Sequence, residues 1–122
     1  MPASLPPLER AHGLQARASR VGFDWPEAAP VFEKLAEEIA ETRQALDDPA
    51  ALEHEIGDLL FTVVNLARLL RVDPARALSL SNRKFETRFR ELERRLQASG
   101  RDWKDVDLAQ MDRIWDEIKN EG

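Results

Sequence analysis

The sequence predicts an all-α protein, an antiparallel helical bundle, on three observations. Its apolar residues recur at spacings of three and four, not two. Its 5 glycines and 7 prolines fall mostly where helices should start or stop. Four substantial helical stretches are joined by short loops, which favour antiparallel neighbours. A chain of 122 residues suits one domain, 1–122, with one modest hydrophobic core and room for a subunit interface.

The first helix is expected from Leu5 to Arg20, with Pro6 and Pro7 at its start. Gly22 and Pro26 in "VGFDWPEAAP" break it. The second runs from Glu27 or Pro30 to Leu46 and ends at Asp47-Asp48-Pro49. The third begins near Pro49 and reaches Leu70. Asp73 can cap a fourth, with Pro74 at its first position, which continues to Ala98 and stops at Ser99-Gly100. The fifth spans Leu108 to Asn120, with Asp107 and Gln110 as a capping box.

Composition excludes several classes. There are no cysteines, hence no disulfide and no thiolate metal site. No stretch approaches the roughly 20 apolar residues of a membrane span, and "MPASLPPLER" lacks the pattern of a secretory leader. A cytoplasmic protein is expected. A net charge of -5 argues against a nucleic-acid-binding surface. Charge is nevertheless segregated, with residues 33–58 acidic and 83–95 basic.

Chemistry concentrates in the acidic stretch. "EHEIGDLLF" sets Glu55 and Asp58 three residues apart at the head of an apolar run. At about 100° per residue, Glu55, Asp58, Thr62 and Asn65 form a polar stripe between apolar flanks, as expected of a helix lining a cleft. Glu38 and Glu41 repeat the spacing on the second helix, beside an arc of Val31, Leu35, Ile39 and Thr42. Lys34 falls between them in angle, and Glu37 lies towards solvent. Antiparallel pairing would bring four carboxylates together, and their repulsion must be offset by protonation or by a divalent cation. Oxygen ligands without His or Cys suit Mg²⁺ or Mn²⁺, which in turn suits a phosphate-bearing substrate. Gly57, between the two acids, costs helix stability and is expected to permit close approach or room for water.

On the fourth helix, Leu78, Phe85, Phe89, Leu92 and Leu96 define an expected core face. Lys84 and Arg88 stand beside it, with Asn82 nearby. An ammonium, a guanidinium fork and an amide are suitable donors for a polyphosphate, and the amide also for a base edge. Phe23 and Trp25 either stack on a nucleobase or anchor a loop over the core.

These residues resemble the MazG family of nucleoside triphosphate pyrophosphohydrolases, in the all-alpha NTP pyrophosphatase group. The resemblance rests on "ARASRVGFDWP", "KLAEEIAE", "EHEIGDLLFTVVNLARLLRVDPARAL", "NRKFETRF" and "MDRIWDEIK", which span most of the chain. It implies hydrolysis of an NTP to NMP and pyrophosphate, in nucleotide-pool house-cleaning. It implies Mg²⁺ ligation by Glu38, Glu41, Glu55 and Asp58, with Glu37 the first acid of the same motif. It also implies that Lys34, Asn82, Lys84 and Arg88 engage the triphosphate, and that the bundle is completed in a homodimer or homotetramer. His54 departs from the family pattern, standing where an acid is frequent. Some bacterial members carry two tandem copies, and this chain is most similar to the C-terminal, active one. The competing reading is a helical oligomerisation or regulatory module that binds nucleotide without turnover.

Overall fold

The computed structural model describes residues 2–122. The helices are α1 (Pro7–Arg20), α2 (Ala29–Gln44), α3 (Pro49–Leu69), α4 (Pro74–Ala98) and α5 (Leu108–Glu121), with a 3₁₀ turn at Trp103–Asp105. No strand occurs among the described residues. The all-α expectation holds, and helix ends fall within about two residues of those read from the sequence.

Local chemistry sets these ends. Pro7, Pro49 and Pro74 open their helices, where a missing N–H costs nothing. Asp48 accepts from the Ala51 N–H at 3.3 Å, and Asp73 from those of Ala75 at 3.0 Å and Arg76 at 3.3 Å. The Asp107–Gln110 capping box forms in both directions, at 2.8 and 2.9 Å. A second box, Asp102 with Asp105, opens the 3₁₀ turn at Trp103–Asp105.

Three helices close through a residue in the left-handed region. Gly22 (φ 86°) and Gly100 (φ 74°) serve α1 and α4. In each case the following N–H reaches back to a last-turn carbonyl, Phe23 to Ala18 at 3.1 Å and Arg101 to Leu96 at 3.0 Å. At the end of α3 the same role falls to Arg71 (φ 60°), with Val72 bonded to Ala67 at 2.8 Å. A β-carbon in that region costs about 1–2 kcal/mol, so this helix end is held by its hydrogen bonds and not by its residue type.

The chain divides into two compact units, the first ending at Ala77 and the second being Leu78–Gly122. In the first, both α1 and α2 pack on α3. Val31, Val64, Gln15, Glu38 and Thr62 are among its buried side chains, so the packed faces are partly polar. Part of the apolar surface read from the sequence is uncovered within the chain. Ile39, Ile56, Leu60 and Val63 are 42–61 % exposed. The reason is that α3 turns its Glu55–Asp58–Thr62 stripe towards α2, which leaves much of its apolar surface uncovered within the chain.

In the second unit, Leu92 and Leu96 of α4 pack with Ile118 of α5, flanked by Val106, Ile114 and Trp115. The expected core face is a core only there. Phe85 stacks on Phe89 and meets Trp115 at 5.3 Å between centroids, while Phe89 stacks on Trp103 at 5.4 Å. Phe85, Phe89 and Leu78 nevertheless remain 58, 41 and 52 % exposed.

Candidate active site

The turn between Gln44 and Pro49 sends the chain back so that α3 lies along α2. Carboxylate oxygens of Glu38, Glu55 and Asp58 then lie within 4.8 Å of one another. Glu38 is buried, Glu55 half-buried and Asp58 exposed, so the group runs from the helix interface out to solvent. Two threonines brace the backbone on either side. Thr42 Oγ1 donates to the Glu38 carbonyl at 2.8 Å, and Thr62 Oγ1 to the Asp58 carbonyl at 2.9 Å. Both hydroxyl protons are thereby directed to the backbone, away from the carboxylates.

One ammonium serves the group. Lys34 Nζ lies 3.1 Å from Glu38 Oε1 and 3.7 Å from Glu37. Its pKa is raised, first by the hydrogen bond with Glu38 and then by the charge of that carboxylate. Glu41, expected as a fourth member, stands on the following turn of α2 outside this convergent set but close enough to feel its charge. Its carboxyl is pushed above the usual range, first by the charge of Glu38, then by partial burial and by Glu55. Glu37 stays 65 % exposed on the far side of Lys34 and outside the convergent set.

The group is left with unmet bonding capacity. Glu38 Oε2 and Glu55 Oε2 are both buried and have no hydrogen-bond partner. Two like charges about 4 Å apart repel by ~4 kcal/mol at an effective dielectric of ~20, and a single lysine cannot offset several such pairs. Orphaned carboxylate oxygens facing one another are what a hard divalent cation requires. A donor set of oxygens alone suits Mg²⁺ or Mn²⁺ over metals that favour nitrogen or sulfur. The residues present therefore fit such an ion.

The other sequence-selected residues stand on other elements of the chain. Lys84 and Arg88 line one cavity of the second unit, beside Arg83 and Thr87. Asn82 and Lys84 are exposed and Arg88 is half-buried on α4. Trp25 is half-buried in the loop after α1 and lines a cavity against α3, apart from the acids. Gly57 has open space where a β-carbon would go, so close helix approach is not its role in this chain.

A linked group escaped the sequence reading. Arg68 of α3 grips Asp24 of the loop through both terminal nitrogens, Nη1 to Oδ2 at 3.0 Å, and Nη2 also donates to Asn65 Oδ1 at 2.8 Å. The guanidinium holds the Asp24 carboxyl down at about 2. The available signal was the single arginine of α3 and an aspartate in an aromatic loop.

The chain matches the model of the MazG nucleotide pyrophosphohydrolase domain over residues 28–92. It is 48 % identical over 125 residues to the nucleoside triphosphate pyrophosphohydrolase of Escherichia coli K12, a match covering 99 % of this chain and 48 % of that protein. It is 42 % identical over 115 residues to the nucleoside triphosphate pyrophosphohydrolase/pyrophosphatase MazG of Thermotoga maritima, covering 94 % of this chain and 45 % of that one. The chain thus spans about half the length of the curated relatives it matches.

Proposed function

The chain belongs to the MazG nucleotide pyrophosphohydrolase domain family, and from that premise we propose that it hydrolyses nucleoside triphosphates to nucleoside monophosphate and pyrophosphate at the α2–α3 acidic group. The observation that carries this reading is the convergence of Glu38, Glu55 and Asp58 with two buried oxygens left unpartnered. Residues 1–122 act as one functional domain, in keeping with the match of nearly the whole chain to one half of each relative.

Water attacks the α-phosphorus, the bond to the bridging oxygen breaks, and pyrophosphate leaves with that oxygen. Mg²⁺, or Mn²⁺ in its place, held by Glu38, Glu41, Glu55 and Asp58 with Glu37 at the margin, would supply charge neutralisation and acidify water at the site. The remaining work falls to the chain. Lys34, oriented by Glu38, presents an ammonium to the phosphates at the edge of the acidic group. Lys84 and Arg88 add a point charge and a guanidinium fork for the departing pyrophosphate, and Asn82 adds an amide. Trp25 contacts the nucleoside. We infer a role in house-cleaning of the nucleotide pool, in the cytoplasm. No described helix is long and apolar enough to cross a membrane.

A second copy of the chain completes the bundle. Ile39, Ile56, Leu60 and Val63 give α2 and α3 an exposed apolar surface of the kind that marks an interface. A homodimer or homotetramer by light scattering is the expected result, and a monomer at micromolar concentration would count against it. The activity is tested by pyrophosphate release from a panel of nucleoside triphosphates with and without Mg²⁺. Turnover that requires the metal is expected. Nucleotide binding without turnover would favour a regulatory module instead.

A further inference from the structure

The side of α3 that carries Asp58 holds one further metal-ligating side chain. A cavity of about 310 Å³ is lined by Ala50, Glu53, His54, Gly57 and Asp58. Asp58 belongs both to this cavity and to the acidic group with Glu38 and Glu55. The helical repeat explains why. At about 100° per residue, Asp58 stands between His54 and Glu55 in angle, about 40° from the first and about 60° from the second. Only about 6 Å of helix axis separates His54 from Asp58. Side chains four residues apart on one helix are neighbours, and that spacing lets two of them close on one ion, as the two histidines of the H-E-x-x-H motif do.

His54 is free to turn. It is exposed, and no hydrogen bond or ion pair ties its ring to a described residue. Its nitrogens stand outside the set of oxygens that lie within 4.8 Å of one another, so ligation takes a change of rotamer. Exposed side chains make such changes within nanoseconds. Gly57 lines the same cavity with no side chain to crowd the ring, and nothing lies within 4 Å of where its β-carbon would stand.

The acidic side of the site is fixed by contrast. Glu38 is only 4 % exposed, and its Oε2 is buried without a partner. Carboxylate oxygens alone suit Mg²⁺, a hard ion that keeps to oxygen. An imidazole nitrogen beside them changes the preference. Nitrogen donors bind transition metals better than Mg²⁺, and among these Co²⁺ better than Mn²⁺.

We propose that His54 is a nitrogen ligand of the ion held at the acidic group, reaching it from the Asp58 side, and that it shifts the site from Mg²⁺ towards Mn²⁺ and Co²⁺. This rests on the reading of the acidic group as a metal site and adds metal selectivity to it.

The test uses the metals alone, by titration calorimetry with Mg²⁺ and Co²⁺ and by pulsed EPR of the protein loaded with Mn²⁺. His54→Ala should weaken Co²⁺ binding by about tenfold or more, at least the loss typical of a residue that only supports a ligand, and leave Mg²⁺ binding unchanged. The Mn²⁺ signal should show coupling to an imidazole nitrogen that disappears in His54→Ala. His12 is the only other histidine, and His12→Ala should retain the coupling. Glu38→Gln should abolish metal binding and coupling together. Absence of nitrogen coupling in a protein that still binds Mg²⁺ would overturn His54 as a ligand and leave the hydrolase reading in place. Coupling that survives Glu38→Gln would also overturn it, since the imidazole would then hold an ion apart from the acids. Pyrophosphate release on the same samples separates the two readings. Nitrogen coupling without turnover of any nucleoside triphosphate would overturn the hydrolase reading and leave His54 as a ligand.

Discussion

Glu91 of α4 and Glu38 of α2 each stand at helical spacing from charged neighbours, and the chain treats them in opposite ways. Glu91 receives Arg94 through two bonds, at 2.9 and 2.7 Å, and Arg95 through a third at 2.9 Å. Arg95 continues to Glu117 at 3.8 Å and to Glu121. Its cations hold the Glu91 carboxyl at about 2. Glu38 is far more buried, faces Glu55 and Asp58, and has one lysine and an orphaned second oxygen. Three- and four-residue spacing on one helix lets a charge find its own counter-ion. Convergence from two helices lets the chain leave charge only partly compensated, which is where the proposed cation would act.

The strongest way to break this contrast is to remove an orphaned acid. Glu38→Gln or Asp58→Asn should lower pyrophosphate release by more than about 100-fold, beyond the 10–100-fold typical of residues that only support a metal ligand. The helical circular dichroism should be retained. A variant that keeps near-normal rates would show that the acidic group is not the site.

The next effect is on stability. A cation that binds only the folded state adds about 2.7 kcal/mol at a concentration 100 times its dissociation constant. Millimolar Mg²⁺ or Mn²⁺ should therefore raise the melting temperature of the wild-type protein and leave Glu38→Gln unmoved. Without metal, Glu38→Gln should melt no lower than wild type, since it removes like-charge repulsion. An unchanged wild-type melting curve would argue against a preformed site.

A smaller effect is expected at Gly57, between Glu55 and Asp58. Nothing lies within 4 Å of the β-carbon that Gly57→Ala would add. The substitution should stabilise α3 by about 1 kcal/mol, the helix-propensity difference, measured by urea unfolding. Full activity would show that the glycine serves no purpose at the site, and lost activity would place its open space there.

The helices and the acidic convergence were legible because both depend on short-range pattern. Proline, aspartate caps and the Asp107–Gln110 box mark helix ends through bonds that reach only three or four residues. Glu38, Glu55 and Asp58 share simple spacings on two helices joined by a short turn. What stayed hidden depends on contacts distant in sequence. Asp24 and Arg68 are 44 positions apart, and Gln15 and Phe61 are 46 apart. Which element covers each apolar arc was not legible, because periodicity finds a face and not its neighbour. Ile56, Leu60 and Val63 share a face, but α2 covers the opposite one. Arg71 in a left-handed cap was equally silent, since its type predicts no such conformation.

The smallest effect sharpens the comparison by its sign. Both carboxyls involved are partly solvated, so salt will weaken each. The folded Glu91 carboxyl sits near 2, below its ordinary 4.5. The unfolded chain then binds more protons between those values, and stability present above pH 4.5 is lost as pH falls towards 2. Glu41 is raised above 4.5 in the folded state, so the folded chain binds more protons in the window above that value. Its contribution therefore runs the other way, with stability falling as pH rises through the window. Urea unfolding across pH 2–8 without divalent ions should show Glu91→Gln flattening the acid limb and Glu41→Gln flattening the decline above it. Added Mg²⁺ should abolish the Glu41 difference and leave the Glu91 difference intact, because the α2–α3 acids share one lysine whereas Glu91 is paired with two arginines. Identical pH profiles for the two variants would mean that the clusters are compensated alike, and the case for an external cation would fail with them.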